Sequence, residues 1–424
     1  MRIGILGYEY FGIKFEKTES SPTSAHGGFG FLTKQKAEYL VKMGHEVHVF
    51  IPASSYDRQN NVDNNIDLNG VHLHLYRAVD KLSEGKLKRL VAQFSQHWIR
   101  NKNLDRMLAK FPVDIYQSEE PGLFTNQSLR FSKNQLVIFQ DPYDMEDFRI
   151  MGKAFMEYMG GLTSNESSVR REPSKLTLYL SSKSRNYVKE LLQQLKPNMV
   201  YAEALFIATK VRKMYNLEYT PGHLVNPIEI PNNAIKKSEK PSVVWVGRWD
   251  PQKRPDIALA IASTLPDVDF FFIGKATEYE PFQRKEETLK RKYSSFANIH
   301  FEEFVSEDKK KELIGRAWIL LNTSVREGIP ATFLEAMSQK TCIVSDVDPD
   351  NYTSNFGVAV ENGDYVGAIK KAIENNLYKD KGQKGYEHAL AVHEIGKVMK
   401  RHVELYEEII SLNNHSGSPT KNGS

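Results

Sequence analysis

Short apolar runs alternate along the chain with longer stretches whose apolar positions recur every three or four residues. In the first half, the runs at 3–6, 47–51, 71–76, 114–116 and 136–139 predict strands, and the spacing over 31–43, 86–109 and 184–195 predicts helices. From residue 242 the pattern begins afresh, with strands at 242–246, 269–273, 299–301, 318–322 and 341–345. Helices are expected between them at 256–263, 307–316, 331–338 and 365–375. Strands in strict rotation with helices predict an α/β fold: parallel sheets covered on both faces.

Between the two halves lies Asn226-Pro227-Ile228-Glu229-Ile230-Pro231-Asn232-Asn233, followed by a charged run to Pro241. Paired prolines and clustered asparagines break regular structure, so a connection between two doubly wound domains is expected near residue 233. Ligands of such sheets bind beyond the carboxyl ends of the strands, which points to the cleft between the domains. Residues 413–424 are Ser, Gly, Asn, Lys, His, Pro and Thr, a composition that predicts a disordered tail.

A chain of 424 residues exceeds the size at which one core keeps growing, consistent with two domains. Hydrophobic residues make up 40% and charged residues 26%, and the net charge is +4, ordinary for a soluble globular protein and no argument for a nucleic-acid partner. The single cysteine, Cys342, excludes an internal disulfide and suits a reducing compartment. The first apolar run is too short for a leader and is soon followed by Glu9 and Lys14, so it reads as a buried strand. No apolar stretch reaches the roughly 18 residues that a membrane-spanning helix needs.

Two constellations carry chemistry. After the run 318–322 comes Arg326-Glu327-Gly328-Ile329-Pro330-Ala331-Thr332-Phe333-Leu334-Glu335. Gly328 permits a tight path, and Pro330 suits the first position of a helix. The unpaired amides at that helix start form an anion site, flanked by Glu327 before it and Glu335 a turn inside. The other reading is a strand, a loop and a helix with two solvated glutamates. The second constellation is Gly247-Arg248-Trp249-Asp250-Pro251-Gln252-Lys253, after the strand 242–246. Two cations at a strand's carboxyl end suit the charge on a departing phosphate, or they are exposed basic residues on a turn.

Together these segments resemble the retaining GT-B glycosyltransferases of family 4, also called glycosyltransferase group 1. The likeness rests on Gly247-Arg248, Lys253, and Glu327 through Glu335-Ala336-Met337. Gly27-Gly28-Phe29-Gly30 is similar to that family's glycine-rich loop, and Gly44-His45-Glu46-Val47 to its entry into the second strand. The resemblance implies a GT-B architecture of two Rossmann-like domains, residues 1–232 for the acceptor and 233–394 for a nucleotide sugar. It also implies a last helix, 395–412, crossing back to the first domain.

By the same resemblance Arg248 and Lys253 hold the donor diphosphate, Glu335 the ribose and Glu327 the transferred sugar. Gly27, Gly28, Gly247, Gly328, Ile329, Pro330, Ala331 and Thr332 bring backbone close to the donor. A UDP-sugar is favoured and GDP-mannose comes second; no metal or other cofactor is expected. Gln140 and Asp141 stand where the family often has a histidine, and are the candidate sugar or acceptor contacts. Pro330 replaces a frequent glycine, Arg254 another, and Gly274-Lys275-Ala276 a usual Gly-Asp-Gly.

Other features have plainer readings beside their functional ones. Asp346, Asp348 and Asp350 form a polar loop or a cation site. Asp141, Asp144 and Asp147 cap a helix or face the cleft. His72 and His74 share one face of a strand without a third ligand. The basic, aromatic segment from Arg77 to Lys110 is a solvated helix face, a grip on an acidic acceptor, or a peripheral contact with an anionic membrane. The expected location is cytoplasmic, with such a contact at the inner face. Two competing functions remain: a GT-B-like nucleotide-sugar epimerase, which needs base carboxylates and a histidine at the sugar's C2, and a non-catalytic glycan- or protein-binding module.

Overall fold

A computed structural model describes residues 1–7, 10, 28–53, 65–77, 100–160, 175–232, 235–277, 279–302 and 305–415. Two sheets stand on either side of the connection. The first contains β1 (Arg2–Leu6), β2 (Glu46–Ala53), β3 (Asn65–Leu68), β4 (Val71–Arg77), β5 (Ile115–Glu119), β6 (Gln135–Phe139), β7 (Val200–Ala202) and β8 (Gly222–His223). Their order is β3-β4-β2-β1-β5-β6-β7-β8, parallel except for the β3–β4 hairpin. The second has β9 (Ser242–Val246), β10 (Asp269–Ile273), β11 (Ile299–Glu302), β12 (Ile319–Asn322), β13 (Cys342–Ser345) and β14 (Gly357–Ala359) in the order β11-β10-β9-β12-β13-β14, all parallel. Order reverses beside β1 in one sheet and beside β9 in the other, and the candidate residues follow β9 and β12 at that reversal.

The helices before β9 are α1 (Gly28–Lys42), α2 (Lys102–Lys110), α3 (Leu123–Ser128), α4 (Met145–Met159), α5 (Lys175–Gln193) and α6 (Leu205–Tyr215). After it come α7 (Pro255–Ala262), α8 (Glu280–Tyr293), α9 (Glu307–Arg316), α10 (Ala331–Ser338), α11 (Tyr352–Phe356), α12 (Tyr365–Glu374), α13 (Leu377–His388) and α14 (Ile395–His415). Of the expected helix over 86–109, α2 occupies the described part; residues 86–99, and with them most of the basic segment 77–110, lie outside the described residues. Pro330 stands just before α10 in an extended conformation (φ −60°, ψ 131°), not at its first helical position.

The last helix runs past residue 413, where the disordered tail is expected to begin. α14 runs to His415, because Asn413 is tied down: its amide donates to the Lys133 carbonyl at 3.2 Å and to Asn134 at 2.9 Å, and Lys196 donates to its oxygen at 3.0 Å. Residues 416–424 lie outside the described residues.

The chain crosses between the sheets twice, and the crossings pair. Ile228 donates to the carbonyl of His393 at 2.8 Å, and Ile395 returns a bond to Ile228 at 3.1 Å. α14 then packs on the first sheet, with Tyr406 and His402 both on Gln117 of β5 at 2.6 and 3.0 Å. In the other direction, α4 leans on the second sheet's helices. Its Phe155 and Tyr158 meet Phe282 of α8, with ring centroids 6.1 and 6.3 Å apart. Each half thus lends a helix to the other's surface.

Candidate functional site

The β9–α7 loop is built by three residues. Trp249 plunges into the core, fully buried, and its backbone N–H bonds the carbonyl of Lys275 at 3.1 Å. Asp250 then organises the turn: one oxygen accepts the amides of Gln252 and Lys253 at 3.1 and 3.0 Å, the other the Nε of Arg248 at 2.8 Å. Gly274, at φ +121°, closes the neighbouring loop. A Cβ there would lie 2.1 Å from the carbonyl oxygen of Gly247, so only glycine fits.

The β12–α10 loop is stitched to it. Val325 donates to the carbonyl of Gln252 at 2.9 Å, and the Thr323 hydroxyl to those of Lys253 and Arg254 at 2.8 and 3.0 Å. The stitching brings the Lys253 ammonium onto the Glu327 carboxylate, with side chains 22% and 8% exposed. Glu335 of α10 is also buried, its carboxylate 2.5 Å from Lys310 of α9, whose ammonium sits 4.7 Å above the Phe31 ring of α1. Neither glutamate is solvated, and that plainer reading fails. The helix start has no side-chain cap; the amide of Phe333 bonds the Pro330 carbonyl at 2.9 Å.

The first domain presses on this loop. A Cβ on Gly28 would stand 3.4 Å from that of Ala331, so α1 begins opposite the start of α10. Gly27 lies outside the described residues. Arg326 reaches across the cleft, bonding both oxygens of Asp141 at 2.6 and 2.5 Å and Asp147 at 3.0 Å, with Tyr143 stacked 3.9 Å from its guanidinium carbon. Burial raises Asp141 above the usual carboxylate range in spite of that partner. Gln140 is turned inward: its amide donates to Glu119 at 2.6 Å and accepts from Asn226 at 2.7 Å. A sugar contact from either residue therefore needs its protein partner displaced.

Behind them lie carboxylates that the sequence reading passed over. Glu120 follows β5 with φ +72° and accepts the amides of Gln140 and Asp141 at 2.6 and 2.5 Å; burial pushes it up to about 8. Glu203 follows β7, takes the Ile329 amide at 2.7 Å, and is held well above its ordinary value, chiefly by burial. Lys36, almost fully buried, is paired with Glu119 at 2.9 Å. None of these stands in a local motif; the one signal is an acidic pair, Glu119-Glu120, just beyond the predicted strand 114–116. Asp144 caps α4, and Asp348 and Asp350 bond backbone amides. Among the described residues no group of three or more His, Cys, Asp or Glu side chains is placed to hold a metal.

The model of the family described as "Glycosyl transferases group 1" matches residues 228–388, the part that carries both loops. The chain carries a glycosyltransferase domain. No curated protein sequence matches the chain. Among solved structures it is similar to sucrose-phosphate synthase from Thermosynechococcus elongatus, at 12% identity and TM-score 0.66, covering 97% of this chain and 99% of that one. It is similar to Anabaena Alr3699/HepE in complex with UDP-glucose, at 11% and 0.62, covering 96% and 100%. S. aureus TarM, solved with UDP, gives 11% and 0.61 over 96% and 99%. The glycosyltransferase domain and the sheet before it thus form a GT-B architecture over nearly the whole chain.

Proposed function

We propose that the protein transfers a hexose-type sugar from a nucleoside diphosphate sugar to an acceptor hydroxyl, with retention at the anomeric carbon. The observation that carries this reading is the Lys253–Glu327 contact, which joins the two loops at the carboxyl ends of β9 and β12 directly before α10. In this reading Arg248, Lys253 and the amides at the start of α10 receive the charge that grows on the nucleotide diphosphate as the C1–O bond lengthens. Glu327 orients the sugar, and Glu335 takes the ribose once Lys310 yields. The acceptor hydroxyl enters on the face the diphosphate leaves, and passes its proton to the departing phosphate oxygen.

A UDP-sugar is the favoured donor, supported by the UDP ligands of the Anabaena and S. aureus proteins; GDP-mannose comes second. No metal takes part in this scheme. Among the described residues no helix is long and apolar enough to cross a membrane, and we place the enzyme in the cytoplasm, at most peripheral to a membrane.

Nucleotide release from a panel of UDP- and GDP-sugars, with EDTA present throughout, tests the scheme. Lys253→Ala should lose about 10²–10³-fold in turnover, the usual cost of removing one group that stabilises developing charge. Near-normal turnover would remove Lys253 from the site. Anomeric NMR of the product should show the donor's configuration, and an inverted linkage would refute retention.

A further inference from the structure

The loop from Glu327 to Pro330 belongs to the second domain, but its shape is set from the first. The Ile329 amide, between the candidate sugar-binding Glu327 and the start of α10, donates to Glu203 at 2.7 Å. Glu203 lies 126 residues away, at the end of β7, and is 4% exposed. Gly328 is pressed so closely on the same carboxylate that a Cβ there would come within 2.5 Å of its oxygen. The other Glu203 oxygen accepts from Asn226, in the connection between the domains. Asn226 bonds Gln140, Gln140 bonds Glu119, and Glu119 holds Lys36 of α1.

The next residues repeat the grip. Ala204 precedes α6 and offers no side-chain cap, so the amides of Leu205 and Phe206 are taken by Asp350 of the second domain, at 2.6 and 3.0 Å. The junction of β7 and α6 therefore holds the second domain at two points, and one of them is the donor loop itself.

Resting on the function proposed above, we propose that Glu203 is a positioning residue for sugar transfer: its carboxylate, acting through the Ile329 amide, sets the donor loop in the shape that aims Glu327 and the start of α10 at the transferred sugar. It touches neither sugar nor nucleotide. Its effect falls on turnover more than on donor affinity, because Arg248, Lys253 and Glu335 grip the nucleotide by other contacts. What the loop uses is geometric: an acceptor oxygen within reach of the Ile329 amide.

Three variants separate shape from charge. Glu203→Gln keeps an oxygen at the same reach; Glu203→Asp keeps the carboxylate and loses the reach; Glu203→Ala loses both. On the full chain, kcat should fall on the order of tenfold or more for the Asp and Ala variants, as a small misplacement near the reacting atoms does. Donor KM should stay within about threefold, and the Gln variant should retain most of the turnover. Hydrogen exchange at the peptide carrying Ile329 should quicken in the Asp and Ala variants and not in Gln. If Ala fails to fold, Asp against Gln carries the same comparison. Wild-type turnover in Glu203→Asp, or unchanged exchange at Ile329, overturns the proposal. A wild-type enzyme that releases nucleotide from no donor overturns the proposed function instead, and the exchange comparison still decides what Glu203 does to the loop.

Discussion

Gly328 is the position where a single methyl group should do most harm. Its missing side chain leaves room for the Glu203 carboxylate on one side and the Gln140 carbonyl on the other, and a Cβ would lie 2.5 and 2.6 Å from those oxygens. The carboxylate could swing aside, but the carbonyl is backbone of the residue directly after β6 and cannot. Gly328→Ala must therefore displace the loop, and kcat/KM should fall on the order of tenfold to a hundredfold, with cooperative unfolding retained. Gly152→Ala, in α4, is the control. Its Cβ would meet nothing within 4 Å. Steady-state kinetics on both variants check the contrast; equal losses would show that the packing at Gly328 is not special.

Among the elements, the paired crossings hold a buried titratable group. His393 precedes α14, with one ring nitrogen 2.7 Å from the Asn226 carbonyl and the other 2.6 Å from the Tyr352 hydroxyl. Burial lowers it to about 4, with His388 adding repulsion. The unfolded chain therefore binds the proton more readily between about 4 and 6.5, so this ring's contribution is present at neutral pH and lost as pH falls through that window. From pH 7 to 5 the loss is about 2 kcal/mol. Urea unfolding of His393→Gln should show a correspondingly smaller acid loss than wild type, and identical losses would clear the ring. α9 and α10 were legible, since their bounds follow local apolar spacing. α8 was not: it is so rich in charge that its apolar face is reduced to Phe282, Leu289 and Tyr293, with Glu286 buried beside them. β7, β8 and β14 are two or three residues long, too short for any period to show. The candidate loops were found because their residues are neighbours in sequence. The roles of Lys310, Glu203 and Arg326 were not legible, because each depends on a partner elsewhere in the chain.

Across the whole molecule, the cleft between the sheets is held by ion pairs that no segment contains by itself. Arg326 is the chief of them: its side chain is 8% exposed, it bonds Asp141 through both terminal nitrogens and Asp147 through Nε, and Tyr143 covers its face. Arg254 of the second domain adds Glu157 of α4 at 2.8 Å. Apolar substitution of one partner leaves the others buried without their counter-charge, which in folded proteins costs about 3–5 kcal/mol. Here that cost need not unfold either sheet, because the chain has a cheaper response: the cleft opens, water reaches Asp141, and Asp147 keeps Lys210. Arg326→Met should therefore raise the radius of gyration measured by small-angle scattering and divide thermal unfolding into two transitions. It should also weaken turnover more than stability, since the Ile329–Glu203 bond lies across the same cleft. An unchanged radius with one transition near the wild-type midpoint would mean that the paired crossings and α14 alone hold the domains, and that the ion pairs serve only to satisfy their own buried charges.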